Sequence, residues 1–286
     1  MLEVLVLGAL AVAAASLDAA LAGGPGPFRE AARLLAMERR VTPRADRALT
    51  RIGAIALPVA AALAALVVPF GGHAALGGRV GVVWFNAMEV VAWGAVWLVG
   101  WGANSAYALV GGYRFVAQGL AYELPHMFAL MTAAVAAHSL DLRVIGAAQG
   151  GLWFGVWMPV AFAVYLLSAL AMAFWGPFGA PLGADIAGGA ALELPGPDRL
   201  VFLAGRYGLL AVASAVAVPL FLGGGDGPLL PPWLWSAVKA SAVLALLVWA
   251  GRRPVLRMDR FVQAAWIVLI PAVLLQMLVV AIVVVD

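Results

Sequence analysis

The sequence predicts an all-α, polytopic integral membrane protein with about eight transmembrane helices and both termini outside the cytoplasm. Three observations carry this. Hydrophobic residues make up 65% of the chain and charged residues 11%, against roughly 45–50% and about 25% in soluble domains. Apolar runs near the length of about 20 residues needed to cross a bilayer recur along the whole chain. The arginines, finally, concentrate in alternate connections between those runs, which orients a membrane protein.

The spans fall at about 2–22, 50–70, 80–100, 114–137, 150–175, 200–222, 232–250 and 261–284, within one membrane domain covering 1–286. Ala- and Leu-rich runs without period-two alternation read as helices rather than strands. The first run opens with Glu3 and not with a basic segment, so it reads as a span and not as a cleaved signal peptide. After Gly23-Gly24-Pro25-Gly26-Pro27, the stretch Phe28–Arg40 interleaves Phe28, Ala31, Ala32, Leu34 and Leu35 with Arg29, Glu30, Arg33 and Glu38. A helix lying in the interface, with Pro27 in its first turn, and an ordinary basic loop fit it equally. Arg29, Arg33, Arg39, Arg40, Arg44, Arg47 and Arg51 lie between spans 1 and 2. Arg114, Arg199, Arg206, Arg252, Arg253, Arg257 and Arg260 flank the connections between spans 3 and 4, 5 and 6, and 7 and 8, on the same side, and only Arg79 and Arg143 fall on the opposite face. The connection 176–199 is long, rich in Gly and Pro, and carries Asp185, Glu193 and Asp198; loops of this length are often functional or disordered. The run Gly223–Pro228 lacks the Lys-Ser/Thr pair of a phosphate loop and follows a membrane helix, so it reads as a turn.

Cysteine is absent. Disulfides, thiolate metal sites and Cys-ligated iron–sulfur clusters are thereby excluded within this chain, and redox centres belong to partners. His73, His126 and His138 are too scattered in sequence to suggest a metal site.

Within the spans the informative residues are polar, since a charge at mid-bilayer costs roughly 2.5–3.5 kcal/mol on insertion scales. The segment Gly100–Pro125 concentrates them. If 111–125 is helical, Gly111, Arg114, Gln118 and Tyr122 share one face, and Glu123 sits about a quarter-turn round. Such a stripe serves either a hydrogen-bond network between helices or an ion or proton route with Glu123 as the exchanging group. Glu89 is a second carboxylate deep in a span, followed by Trp93, Trp97 and Trp101 at four-residue steps. It either hydrogen-bonds a neighbouring helix or exchanges protons. Lys239, the chain's single lysine, lies seven residues into the seventh span and either snorkels or partners a carboxylate. Asp18 and Glu3 are near span ends and are expected to be solvated.

These residues resemble the H-type membrane component of bacterial NADH–quinone oxidoreductase, the complex I subunit 1 family. Its junction between the third and fourth spans is matched here by Gly100, Trp101, Asn104, Tyr107, Leu109, Gly111, Arg114, Ala117, Gln118, Tyr122 and Glu123. The match resumes at Phe221-Leu222-Gly223-Gly224 with Asp226-Gly227-Pro228, then Lys239, Trp249, Arg253, Pro254, Leu256, Arg257, Asp259 and Trp266. Departures concentrate in two places. The family's basic opening after the first span is reduced to Gly26-Pro27 and Arg33-Leu34-Leu35. Near the fifth span Met172, Trp175, Gly179, Leu182 and Ala184 stand where the family has Glu, Arg, Asp and two further Glu.

The resemblance implies a multi-pass subunit of the bacterial plasma membrane, joined to other membrane subunits and to a peripheral arm that carries the iron–sulfur clusters. It implies quinone as substrate, with no covalently bound cofactor and no metal in this chain. Glu123, Glu89 and Lys239 become candidates for a proton path. Arg114, Gln118, Tyr122, Asp185 and Glu193 become candidates for the quinone chamber and junction. The lost carboxylates imply a weakened proton route, for which Glu89 is a substitute. Two alternatives remain at this point: the homologous membrane anchor of a nickel–iron hydrogenase or formate hydrogenlyase, and a stand-alone proton-linked transporter. Nothing like two inverted repeats supports the transporter.

Overall fold

The computed structural model describes residues 2–38 and 42–285, so Arg39 and Arg40 of the first basic connection lie outside the described residues. The described residues form helices α1 (Leu2–Ala22), α2 (Pro27–Ala36), α3 (Arg47–Ala65), α4 (Gly81–Gly102), α5 (Ala106–Ala136), α6 (Leu142–Ala147), α7 (Phe154–Trp157), α8 (Pro159–Met172), α9 (Gly196–Phe221), α10 (Pro232–Ala250), α11 (Met258–Ala264) and α12 (Ile270–Val285). No strand occurs among them. Six helical segments are long and apolar enough to cross a membrane: α1, α3, α4, α9, α10 and the run Met258–Val284. α5 is long enough at 31 residues, but its Arg, Gln, Glu and His lower its hydropathy.

The fifth expected span, 150–175, is broken. α7 has four residues and α8 fourteen, and Met158 between them has φ −119° and ψ 60°, outside helical geometry. Pro159 starts α8 at the one helical position where a missing N–H costs nothing. Gln276 of α12 accepts a hydrogen bond from Ala161 N at 2.6 Å, satisfying one of the free donors of the new helix start.

α9 runs through the middle of the bundle, and every residue from Gly208 to Phe221 is buried. α3 crosses it closely because Gly205 has no side chain: a Cβ there would lie 2.6 Å from Pro58 N. Small residues at such crossings let membrane helices approach to backbone contact. α12 sits at the periphery and exposes Leu274, Leu275, Leu278, Val279, Ile282 and Val283.

The arginine-bearing connections meet at one end of the bundle. Asp46 N donates to Gly102 O at 2.8 Å and Asn104 Nδ2 to Pro43 O at 3.1 Å. Leu256 N donates to Pro177 O, and Arg252 Nη2 to Leu21 O at 3.1 Å. Asp46 also caps α3, its Oδ1 accepting from Ala48 N and Leu49 N. The stretch after the first span forms α2, which buries Leu34 and exposes Phe28 and Leu35, as an interfacial helix does.

Two expectations about α1 are corrected. Glu3 is buried, at 7% exposure. Asp18 accepts a hydrogen bond from Tyr207 Oη at 3.1 Å and lies 3.7 Å from Arg252 Nη1. Packing of α1 against its neighbours draws these near-terminal acids into contacts with protein rather than leaving them in water.

Candidate functional site

The junction segment folds as an antiparallel hairpin of α4 and α5, turned at Asn104 in the left-handed region (φ 47°). α5 carries Arg114, Gln118, Tyr122 and His126 at four-residue steps, so one stripe presents all four. Arg114 and His126 are thus about 18 Å apart along the axis at 1.5 Å per residue.

Each member of the stripe is engaged differently. Arg114 Nη2 donates to Asp185 Oδ2 at 2.7 Å and Nη1 to Ala180 O at 3.2 Å, fastening the loop after α8 to α5. The guanidinium beside Asp185 holds its carboxyl below the usual carboxylate range. Gln118, fully buried, donates from Nε2 to Ala171 O at 2.7 Å and satisfies one of the terminal carbonyls of α8. Its Oε1 has no partner among the described residues. Tyr122 Oη accepts from Trp93 Nε1 at 2.8 Å.

His126 lies 3.2 Å from Glu89, Nδ1 to Oε2, with both side chains essentially sealed at 0% and 1% exposure. The ring sits in an aromatic box of Tyr165, Phe85 and Tyr122, with centroids 5.1, 6.0 and 6.4 Å away. Beside it, Asn86 Nδ2 donates to Glu123 Oε1 at 3.1 Å. Asn86 and Glu89 are three apart on α4, and Glu123 and His126 three apart on α5. The four side chains therefore occupy one turn of each helix, joined by two contacts between the helices.

Lys239 is placed elsewhere. Its Nζ donates to Leu222 O at 2.7 Å, Asp226 O at 2.8 Å and Gly224 O at 3.0 Å, and lies 4.7 Å from the Trp153 ring centroid. It neither snorkels nor meets a carboxylate among the described residues; the turn after α9 folds over it and supplies carbonyls instead. Glu193 is half-buried and has no ion pair among the described residues.

The loop 176–194 forms four short 3-10 turns, of which those at 180–182, 184–186 and 189–191 pack on α5 and the one at 176–178 packs on α8. Gly111 permits this, because a Cβ there would collide with Ala190 N, Pro181 O and Gly189 C. Gly111→Val is expected to lift the loop at an overpacking cost of about 1–3 kcal/mol. Faster proteolysis of this loop in membrane vesicles is the readout, and unchanged cleavage would refute the packing account.

A separate cavity of about 720 Å³ lies between α1, α2 and α9. Its walls are apolar, with Leu7, Ala11, Leu34, Leu203 and Ala204 among them, and Asp18, Glu30 and Tyr207 provide polar groups. None of Arg114, Gln118, Tyr122, Asp185 or Glu193 lines it.

The sequence matches the family model described as NADH dehydrogenase over residues 18–281. The chain belongs to that family. Among its relatives are H-type components of NADH-quinone oxidoreductase. The one numbered 2 in Geobacter sulfurreducens is 36% identical over 265 residues, covering 88% of this chain and 80% of the relative. That numbered 1 in Geobacter metallireducens is 35% identical over the same shares. The Bordetella avium relative is 31% identical over 277 residues, covering 90% and 78%. The resemblance read from Gly100 to Glu123 is therefore a family relationship, and the hydrogenase-anchor and transporter readings are not favoured.

Two features of the structure go beyond the candidates named from the sequence. His126 is one: the four-residue step that relates Gln118 to Tyr122 lands on it next, although no metal-ligand spacing marks it. The α1–α2–α9 cavity is the other, and it has no local signal, because α2 creates it by folding back beneath α1.

Proposed function

We propose that the chain is the membrane junction subunit of a complex-I-like NADH–quinone oxidoreductase, which binds quinone between α1, α2 and α9. The single observation that carries this is the cavity. Its volume lies within the roughly 300–1,000 Å³ of small-molecule sites, and its apolar walls with few polar groups match their usual chemistry. An isoprenoid tail suits the apolar wall, and the hydroxyl of Tyr207, itself hydrogen-bonded to Asp18, offers a polar contact for a quinone head group.

Family membership supports partners that carry NADH oxidation and the iron–sulfur clusters, and a further set of membrane subunits. The arginine-rich end of the bundle, with α2 and the loop fastened by Arg114 to Asp185, offers a basic platform for a peripheral arm. By the arginine bias that end faces the cytoplasm of a bacterial plasma membrane and both termini face outward. Glu123 and Glu89 are the groups assigned to a proton route beside α5. Lys239, held by three carbonyls, is assigned to fixing the turn after α9.

The test is to fill the cavity in the intact complex. Ala11→Trp and Ala204→Trp each place an indole in it, and NADH-dependent quinone reduction is expected to fall at least about tenfold, the equivalent of roughly 1.4 kcal/mol. Electron transfer from NADH to a water-soluble acceptor should persist, because it bypasses the membrane site. Undiminished quinone reduction in both variants would overturn the assignment of the cavity.

A further inference from the structure

We infer that Glu89 and His126 form a proton-relaying dyad in the membrane domain, with His126 as a working member rather than a packing residue. The inference rests on the complex-I-like reading above and adds a proton-carrying residue to it.

The geometry is the first argument. Glu89 Oε2 and His126 Nδ1 are 3.2 Å apart, across two helices, and both side chains are sealed from the surface. Burying one charge alone in such a site would be expensive. The pair avoids this cost because it can hold one proton in two arrangements of zero net charge, imidazolium with carboxylate or imidazole with carboxylic acid. Moving the proton between them changes no net charge. The Nδ1–H bond breaks as the O–H bond on Glu89 forms, once a small turn of either side chain aligns the 3.2 Å contact, which does not meet hydrogen-bond geometry as it stands.

The second argument is the unused valence. Asn86 Oδ1, both carboxylate oxygens of Glu89, Glu123 Oε2 and both ring nitrogens of His126 are all buried without a hydrogen-bond partner among the described residues, with Glu89 Oε2 and His126 Nδ1 facing each other. Buried polar atoms of native proteins are usually paired, and exceptions call for a reason. All of these orphan atoms belong to one turn of the α4–α5 hairpin, and outside the Glu89–His126 contact Glu89 Oε1, His126 Nε2 and Glu123 Oε2 remain available for proton exchange. They are the atoms a relay needs free, one to receive a proton and one to release it on each side of the dyad.

The third argument is what surrounds the pair. The groups packed around it are Tyr122 and Glu123 from α5, Asn86, Phe85 and Trp93 from α4, and Tyr165 from α8. Tyr122 is committed to Trp93, and Tyr165 donates to Ala213 O at 2.7 Å. Among these groups the one further carboxyl is Glu123, half-buried at the edge of the hairpin and one turn from His126. From the imidazole and carboxylic acid arrangement Glu89 first releases its proton from Oε1; a proton arriving on Glu123 Oε2, three residues before His126 on α5, then passes to His126 Nε2, the Nδ1 proton moves to Glu89 Oε2, and the ring turns over to return its N–H to Nδ1. One proton enters the quartet and one leaves from Glu89, so the count balances. A core histidine kept only for packing would be expected to satisfy its nitrogens locally; here neither nitrogen meets a polar group among the described residues except Nδ1 toward Glu89.

The experiment uses the whole complex in liposomes with Glu89→Gln, His126→Gln and the exchanged pair Glu89→His/His126→Glu. Each single variant is expected to slow proton translocation per NADH oxidised by about 100-fold or more, the low end for removal of a positioned proton donor, and the exchanged pair to restore part of it. Translocation at the unmodified ratio in both single variants overturns the inference. Because a variant can fail to assemble, infrared difference spectra of the unmodified complex supply a second readout. A carboxyl band that shifts on 15N-histidine labelling and is lost in Glu89→Gln is expected, and no histidine-sensitive carboxyl band overturns the inference. Failure of the cavity variants to impair quinone reduction would instead overturn the assignment of the cavity as the quinone site and leave the translocation ratio and the carboxyl band unmoved, so the two failures are told apart.

Discussion

Lys239→Met is expected to destabilise the membrane domain by roughly 2–5 kcal/mol, since three interhelical hydrogen bonds in bilayers average about 0.6 and reach about 1.7 kcal/mol each. The lysine is 6% exposed and holds the carbonyls of Leu222, Gly224 and Asp226 while resting near the rings of Trp153 and Trp235. Methionine matches the apolar stem but donates nothing. Three carbonyls then face an apolar wall, and the loss of the cation–π contact adds to the cost. The turn 222–226 should detach from α10. Lys239→Arg keeps the charge but replaces a compact ammonium with a planar fork, so an intermediate loss is expected. The readouts are the yield of detergent-extracted protein and its melting midpoint. An unchanged midpoint for Lys239→Met would refute the account.

That result would come from a residue whose sequence signal points elsewhere. A lone lysine in an apolar run reads as a charge seeking water or a carboxylate. Its actual partners are backbone atoms of a turn 13 to 17 residues earlier in the chain, and backbone atoms carry no signature in residue identity. The same limit explains the cavity, which depends on how α2 folds back and not on any motif. By contrast, the arginine bias is legible because it is a property of position along the chain, and the structure gathers the connections it marks at one end. The α5 stripe is legible because a helix fixes which residues share a face. His126 obeys that rule too, but a histidine weighed as a metal ligand has no visible companion in the sequence. The break at Met158 has a local sign in Pro159, but a continuous apolar run from Trp153 to Trp175 hides it. The partner that stabilises the break, Gln276, is 115 residues away.

Gln149→Leu is expected to cost a similar roughly 2–5 kcal/mol, because this one side chain closes two helix ends. Its Nε2 donates to Pro219 O at 2.8 Å and Ile145 O at 3.1 Å, and its Oε1 accepts from Gly223 N at 2.9 Å and Phe154 N at 3.0 Å. Pro219 O belongs to the last turn of α9 and Phe154 N to the first residue of α7, both positions that lack partners within their own helices. Leucine keeps the volume and orphans all four groups at a site 3% exposed. Gln149→Glu retains both accepting bonds but turns an oxygen toward Pro219 O, so it should recover less than half of the loss. The decisive measurement is the double variant with Lys239→Met. Gln149 holds Gly223 N while Lys239 holds Leu222 O and Gly224 O, so the first substitution already frees the turn on which the second acts. The combined loss should then fall short of additivity by at least about 0.5 kcal/mol, the lower end for residues sharing a structural element. Strict additivity would mean that the two side chains stabilise separate units and that the turn 222–226 is held by something else.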